Sequence, residues 1–341
     1  MQLPLKKIIL IFILPVVYFS CNLNEYDPSL YKPKAKTDFG QILFSLPKKY
    51  WNHPIGNELN SQFERLNKAT PLPYEKYFEI DFIVPENLVN KLKNKSCIVV
   101  VKIDPSQPSF IKPTYIRDLW ANGQLVAELN FKNTDRALHY FSTSSSELIN
   151  EINAFYYQSI LMGYSKNNII NTNTSKKFKL NIKAPEEMRL NKKSKHFWWF
   201  SQLEMKKDQN GTHEIQKGIV FYNSPYTSEN QFTIKYQQQI RDSISKMYLK
   251  GTTKDSYMIS RNDDLAPMQS EAMYINDKYV FKTTGAWKMV NDKMGGPFIN
   301  YAFLSKNNRE IINIDGYVYA PNFKKSKLIR ELEAIIYSAL N

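Results

Sequence analysis

Two stretches a hundred residues apart share one strand-then-stop pattern, and together they constrain what this chain can fold into. Phe78-x-Ile80-x-Phe82-x-Val84-Pro85-Glu86-x-Leu88 recurs as Phe178-x-Leu180-x-Ile182-x-Ala184-Pro185-Glu186-x-Met188. Apolar residues alternate with polar ones at the period of a strand that buries one face. A proline then ends each run, because it cannot donate to a ladder and suits the first turn of a helix. The echo predicts two related halves, about residues 37–170 and 176–341, divided in the polar stretch 167–177.

Other segments extend the series of strands: 97–103, 124–131, 197–205, 215–222, 278–289, 297–304 and 311–319 are all β-rich. Asn122-Gly123, between Trp120 and Leu125, is a hairpin signal favouring a primed turn. Three segments read as helices. Ser144 to Glu147 has the capping-box spacing and opens a run with Leu148, Ile152, Phe155 and Ile160 on one face. Ser228 to Gln231 repeats the device ahead of Tyr236, Ile240, Ile244 and Met247, and Gly251 closes that helix. Residues 325–340 place Leu328, Leu332, Ile335, Ile336 and Ala339 along one stripe, with Lys327 and Glu331 at i, i+4 opposite. The expected class is α+β, with largely antiparallel sheets and three main helices, the two halves packed as one body.

The N-terminus predicts an address. Lys6 and Lys7 precede an apolar run from Ile8 to Phe19, then Ser20 and Cys21. A dozen apolar residues is short of the roughly 20 that a membrane-spanning helix needs, and suits the h-region of a secretory signal. A cysteine after a small residue at that place is where a bacterial lipoprotein is cut and acylated, although Tyr18 and Phe19 are bulkier than the usual pattern. The expected division is a signal peptide over 1–20, lipidation at Cys21, a polar, proline-punctuated tether over 21–36, and one body over 37–341. Asn22 after the cysteine favours the outer membrane, with the face left open. The only other cysteine, Cys97, opens an apolar run and reads as a small buried hydrophobe.

Charge narrows the partners. Lys and Arg number 46 against 32 acids, a net +14; removing residues 1–20 takes away two lysines and no acid, which leaves +12. Such a balance suits an anionic partner, with a dispersed basic surface and no partner as the plainer reading. The run from Lys192 to Phe200 mixes lysines with aromatics, as nucleic-acid sites do. Export excludes that class, and the run reads better as a solvated turn entering a buried strand. The remaining partners are the membrane, through the N-terminal lipid, and an envelope protein, a glycan or an anionic lipid.

The C-terminal third carries a family resemblance. Thr284-Gly-Ala-Trp-Lys-Met289, Asn291-Asp-Lys-Met-Gly-Gly-Pro-Phe298, Gly316-Tyr-Val-Tyr-Ala-Pro321 and the helix from Leu328 to Tyr337 resemble DUF4837. That family consists of lipoproteins from Bacteroidetes-type bacteria. The resemblance implies the lipobox, tether and body layout, and supplies no activity and no catalytic residues.

Catalytic signals are sparse. His53, His139, His196 and His213 are scattered without metal-ligand spacing, so no metal and no cofactor is expected. There is no Gly-x-Ser-x-Gly elbow and no phosphate loop among only 11 glycines. Glu186 and Glu187 read as charges at a helix start. Asp263 and Asp264, beside Arg261, are an acid pair suited to glycoside chemistry, with a solvated loop as the plainer reading. The ligand-site candidate is Trp287 with Met294, Gly295, Gly296 and Pro297: the glycines allow close backbone approach and the indole would wall a groove. A tight hairpin with Trp287 in the core accounts for the same residues. The leading expectation is a non-catalytic binding or scaffold protein of the envelope; the competing one is a hydrolase with a non-standard acidic site.

Overall fold

The computed structural model describes residues 31–36, 38–107, 112–164 and 168–340, with only the backbone of 168, 169, 171 and 173. The signal segment, Cys21 and the tether through residue 30 lie outside the described residues.

The first half alternates strands and helices. It runs β1 (Gln41–Ser45), α1 (Lys48–Trp51), α2 (Pro54–Phe63), β2 (Glu79–Ile83), β3 (Cys97–Ile103), β4 (Thr114–Arg117), β5 (Leu125–Phe131), α3 (Thr134–Thr143) and α4 (Ser145–Met162). The strand order is β2-β1-β3-β5-β4. All pairs are parallel except β4 with β5. Strands of a parallel sheet are covered on both faces and read as continuous apolar runs, as β3 and β5 do. On one face Phe44, Val99 and Ala127 meet Phe63, Phe141, Ile152 and Tyr156 of α2, α3 and α4. On the other, Leu43, Ile98 and Val126 meet Leu88 and partly buried Trp120.

The second half is an antiparallel meander. After α5 (Asn168–Phe178) come β6 (Arg189–Lys193), β7 (Phe197–Asp208), β8 (Gly211–Pro225), α6 (Ile234–Tyr248), β9 (Tyr257–Arg261), β10 (Gln269–Ile275), β11 (Lys278–Val290), β12 (Gly295–Leu304), β13 (Glu310–Tyr319) and α7 (Ser326–Leu340). Seven strands lie in the order β10-β11-β12-β13-β8-β7-β6, and β9 also pairs with β11. One sheet face buries Ile299, Ile312 and Ile314 against Leu332, Ile335 and Ile336 of α7. The opposite face carries Tyr222, Trp287 and Phe298, with Ile240 and Ile244 of α6 packed against them.

The class is α+β as expected, and the strands read from the sequence stand close to their expected bounds. The echo, however, is not a repeated structure. Its first copy is β2 in a mostly parallel sheet, whereas its second starts on Phe178, the last residue of α5, and runs on as an extended segment that belongs to no strand. Leu180, Ile182 and Ala184 are buried as their alternation requires. Lys183 gives its N–H to Ser338 Oγ at 2.9 Å, a side chain of α7, instead of to a ladder. Alternation reports one buried face; it does not say whether a neighbouring strand is there.

Two other expectations change. The fully buried positions of α6 are Gln237, Arg241 and Ser245, while Met247 is exposed. The reason lies in the sheet beneath, where Thr283, Asn300 and Asp315 stand in register across β11, β12 and β13. Asn300 Nδ2 donates to Gln237 Oε1 at 3.1 Å, and Arg241 Nε donates to Asp315 Oδ2 at 2.7 Å. A polar stripe therefore meets a polar row. Residues Lys327 and Glu331 do not pair with each other, because Lys327 reaches Asp38 of the first half and Glu331 takes Lys217 at 2.6 Å. The hairpin at Gly123 is present (φ +80°), but the connection spans residues 118–124, closed by Asp118 Oδ1 accepting from Gly123 N at 2.6 Å.

Candidate binding cleft

The two halves meet through α7 and through the α2–β2 connection, residues 64–78. This connection leaves the first half and places Ala69 in the core of the second. Glu75 then caps α7 from outside: its carboxylate accepts from Lys325 N at 2.7 Å, Ser326 N at 2.8 Å and Ser326 Oγ at 2.6 Å. Free N–H groups at a helix start favour an anion there, so the cap is well matched. On its far side α7 buries Ala334 against Ile160 and Leu161 of α4.

Tyr77 stands at the centre of this junction. The Arg65 and Arg330 guanidinium carbons lie 4.7 and 5.3 Å from its ring centre, and its hydroxyl accepts from Asn153 Nδ2 at 2.8 Å. Three open recesses share it. One, of about 540 Å³, lies between the 64–78 connection and the start of α7, with Glu64, Tyr74, Lys324, Lys327 and Arg330 around it. A second, of about 420 Å³, is bounded by Arg65, Lys68, Glu271 and Lys282. The third, of about 770 Å³, is rich in tyrosine, including Tyr115, Tyr157, Tyr274 and Tyr301.

The floor between them is charged and largely buried. Lys282 Nζ donates to Glu333 Oε1 at 2.6 Å, Tyr157 OH to Oε2 at 3.2 Å and Tyr301 OH to Oε1 at 3.4 Å. Burial works against both charges, but the pairing outweighs it: Lys282 is held well above the ordinary ammonium range and Glu333 below the carboxylate range. Burial, with Glu333 alongside, pushes the Tyr157 phenol far up, so it stays a neutral donor. The walls thus offer aromatic faces, phenol and amide hydrogen-bonding groups and fixed cations. Among the described residues, no group of three or more His, Cys, Asp or Glu is placed to hold a metal.

The residues singled out in the sequence lie elsewhere. Trp287 is 2% exposed, and its indole N–H donates to Val318 O at 3.1 Å. Gly296 faces the same carbonyl, and a Cβ there would lie 2.0 Å from it. Gly295, Gly296 and Pro297 therefore let β12 pass close under Trp287 on a tightly packed hairpin, with partly buried Met294 at its turn. Close packing with Tyr317 and Tyr319 buries this indole, so it walls no open groove among the described residues. Asp263 binds Arg261 Nε at 2.6 Å and accepts from the backbone of Leu265 and Ala266 at 3.1 Å each. Asp263 is thus held by its own loop, while Asp264 is exposed. Cys97 is buried, and burial pushes its thiol up to about 12.

Tyr77, Lys282, Arg330 and Glu333 escaped the sequence reading. A signal existed for the last two, since Arg330 and Glu333 fall among Ile329, Leu332 and Ile336 on the buried side of α7. Charges inside an apolar stripe call for partners.

Residues 167–338 match the family described as "Domain of unknown function (DUF4837)", which covers half of the chain. The chain belongs to the DUF4837 family. A second match, "Domain of unknown function (DUF8532)", covers residues 38–164. A search of curated proteins gives no match. The DUF4837 part contributes Lys282, Tyr301, Arg330 and Glu333 to the cleft, and the DUF8532 part contributes Arg65, Tyr77, Asn153 and Tyr157. The cleft thus lies between the two matched regions, a usual place for ligand sites.

Proposed function

We propose that this DUF4837 protein is a lipid-anchored envelope protein that binds its ligand, without catalysis, in the cleft around Tyr77. The observation that carries this reading is the convergence of three recesses on one aromatic residue between two charged, hydrogen-bonding walls. Support for the anchor comes from the sequence: the n-region lysines, the short apolar run and Cys21. Asn22 supports the outer membrane, and the ligand is an envelope protein segment or a glycan. The competing hydrolase reading rests on Asp263 and Asp264, and Asp263 is bonded within its own loop.

Two experiments test the two parts. Metabolic labelling with a palmitate analogue should mark the wild type and not Cys21→Ser, whose precursor stays uncut; normal maturation of the variant would sink the anchor. A photo-crosslinking residue at Tyr74 should capture an envelope component that the same residue at exposed Leu203 does not. Identical capture at both positions would remove the cleft from consideration.

A further inference from the structure

We propose that the recess between the 64–78 connection and the start of α7 is an oxyanion site, in which Arg330 binds a carboxylate or phosphate of the ligand. This specifies the charge of what the cleft takes, and so rests on the binding reading above.

Arg330 is 3% exposed and makes no ion pair among the described residues. Its Nη1 donates to Asn153 Oδ1 at 2.7 Å and its Nη2 to the Tyr77 carbonyl at 2.8 Å. The rings of Phe78, Tyr77 and Tyr156 lie 4.8, 5.3 and 5.7 Å from the guanidinium carbon. A guanidinium has five N–H donors in a fixed fork, and these bonds use two. Removing such a cation from water is costly without a counter-charge.

The neighbouring cations are each matched. Lys76 pairs with Glu64 at 2.7 Å, Lys324 with Glu79 at 2.5 Å, and Lys327 with Asp38. Glu75, which also faces the recess, is committed to the start of α7. Behind the wall Glu333 feels both Lys282 and Arg330 but is bonded to Lys282, so two buried cations share one carboxylate. Of the four cations lining the recess, Arg330 is the one without an ion-pair partner among the described residues.

Access is preserved by the residue opposite. Position 40 is a glycine at φ +94°, and a Cβ there would sit 3.7 Å from Arg330 Nε and 3.8 Å from Nη2. With no side chain at that position, residue 40 does not crowd the Nε–Nη2 edge, the one that pairs bidentately with oxyanions, where Nη2 keeps one N–H besides its bond to the Tyr77 carbonyl. About 540 Å³ is room for a sugar acid or a phosphate-bearing group. An ionic contact at this open recess will be screened by salt.

The test is calorimetric titration of the full chain with glucuronate, inorganic phosphate and, as the neutral control, glucose. Glucuronate, phosphate or both should bind and glucose should not; the one that binds tells carboxylate from phosphate. Binding should weaken at least tenfold in Arg330→Gln and severalfold in Lys324→Glu, the latter at a largely exposed position, with the urea midpoint of each variant checking that it folds. It should also weaken as salt rises. No heat from either anion, or equal affinity in wild type and Lys324→Glu, would overturn the proposal. If both anions fail while crosslinking at Tyr74 still captures a ligand, the oxyanion site is wrong and the binding cleft stands.

Discussion

Lys282 Nζ and Glu333 Oε1 lie 2.6 Å apart where β11 and α7 face each other under the cleft, with both side chains largely removed from solvent. Their value is conditional. A buried pair returns the cost of desolvating both charges only while both partners are present. Glu333→Gln should therefore destabilise the protein by about 3–5 kcal/mol, because it strands the Lys282 ammonium. Lys282→Met combined with Glu333→Leu should recover most of that loss. Urea unfolding of Glu333→Gln and of the double variant checks this; a double variant as unstable as Glu333→Gln would show that the two residues act separately.

The buried carboxylates give stability opposite dependences on pH. Glu333 is held below the carboxylate range by Lys282, against the burial that raises it. Its contribution is thus present above the unfolded carboxylate's value of about 4.3 and is lost as pH falls through the lower, folded one. Asp315 is raised, because burial outweighs the attraction of Arg241. Its contribution is full below its unfolded value and is lost as pH rises through the folded one. Acid unfolding of the wild type should include the Glu333 component, and Glu333→Gln should show a shallower loss of stability below pH about 4. Equal slopes in wild type and variant would mean that Glu333 does not stay charged in the fold.

Glu75 joins the halves by a means that neither half provides alone, a carboxylate of the α2–β2 connection on the first N–H groups of α7. Replacing a cap with alanine typically costs about 1 kcal/mol. Glu75→Ala should lose at least that, and it should also open the 64–78 connection, which limited proteolysis would detect as new cleavage there. A variant with the wild-type cleavage pattern would show that the connection is held by Ala69 and Tyr77 without the cap.

How much was legible follows from what each signal measures. The antiparallel strands of the second half alternate or run apolar over long stretches, and Lys278–Val290 and Glu310–Tyr319 emerged close to their full lengths. Short β1, β4 and β9 and the edge strands β6 and β10 are not among the segments read from the sequence. Helix α6 was found by its spacing, but its buried side was misjudged, because a polar sheet row inverts the rule that apolar residues face inward. The cleft was not legible. Tyr77, Asn153, Lys282 and Arg330 are far apart in sequence and meet only through packing between the halves, which no local period reports. Trp287 drew attention for the opposite reason: a tryptophan near two glycines and a proline marks close packing as readily as a binding wall.

That packing makes the sharpest structural prediction. A Cβ on Gly296 would lie 2.0 Å from Val318 O and 3.2 Å from Trp287 Nε1. The carbonyl is backbone of β13, which is paired with β12 from Phe298 to Leu304 and with β8 on its other side, so it has little freedom to retreat. It is also the acceptor of the Trp287 indole, so moving it breaks that bond. Gly296→Ala should then cost about 1–3 kcal/mol, the range for forcing extra volume into a filled core, with the lost indole bond added. Gly123→Ala serves as the contrast, since a Cβ there meets nothing within 4 Å and the cost comes from its φ of +80° alone. The urea midpoint should fall further for Gly296→Ala than for Gly123→Ala, with the slope unchanged in both. A Gly296→Ala midpoint equal to the wild type would show that β12 does not pass under Trp287 at this distance.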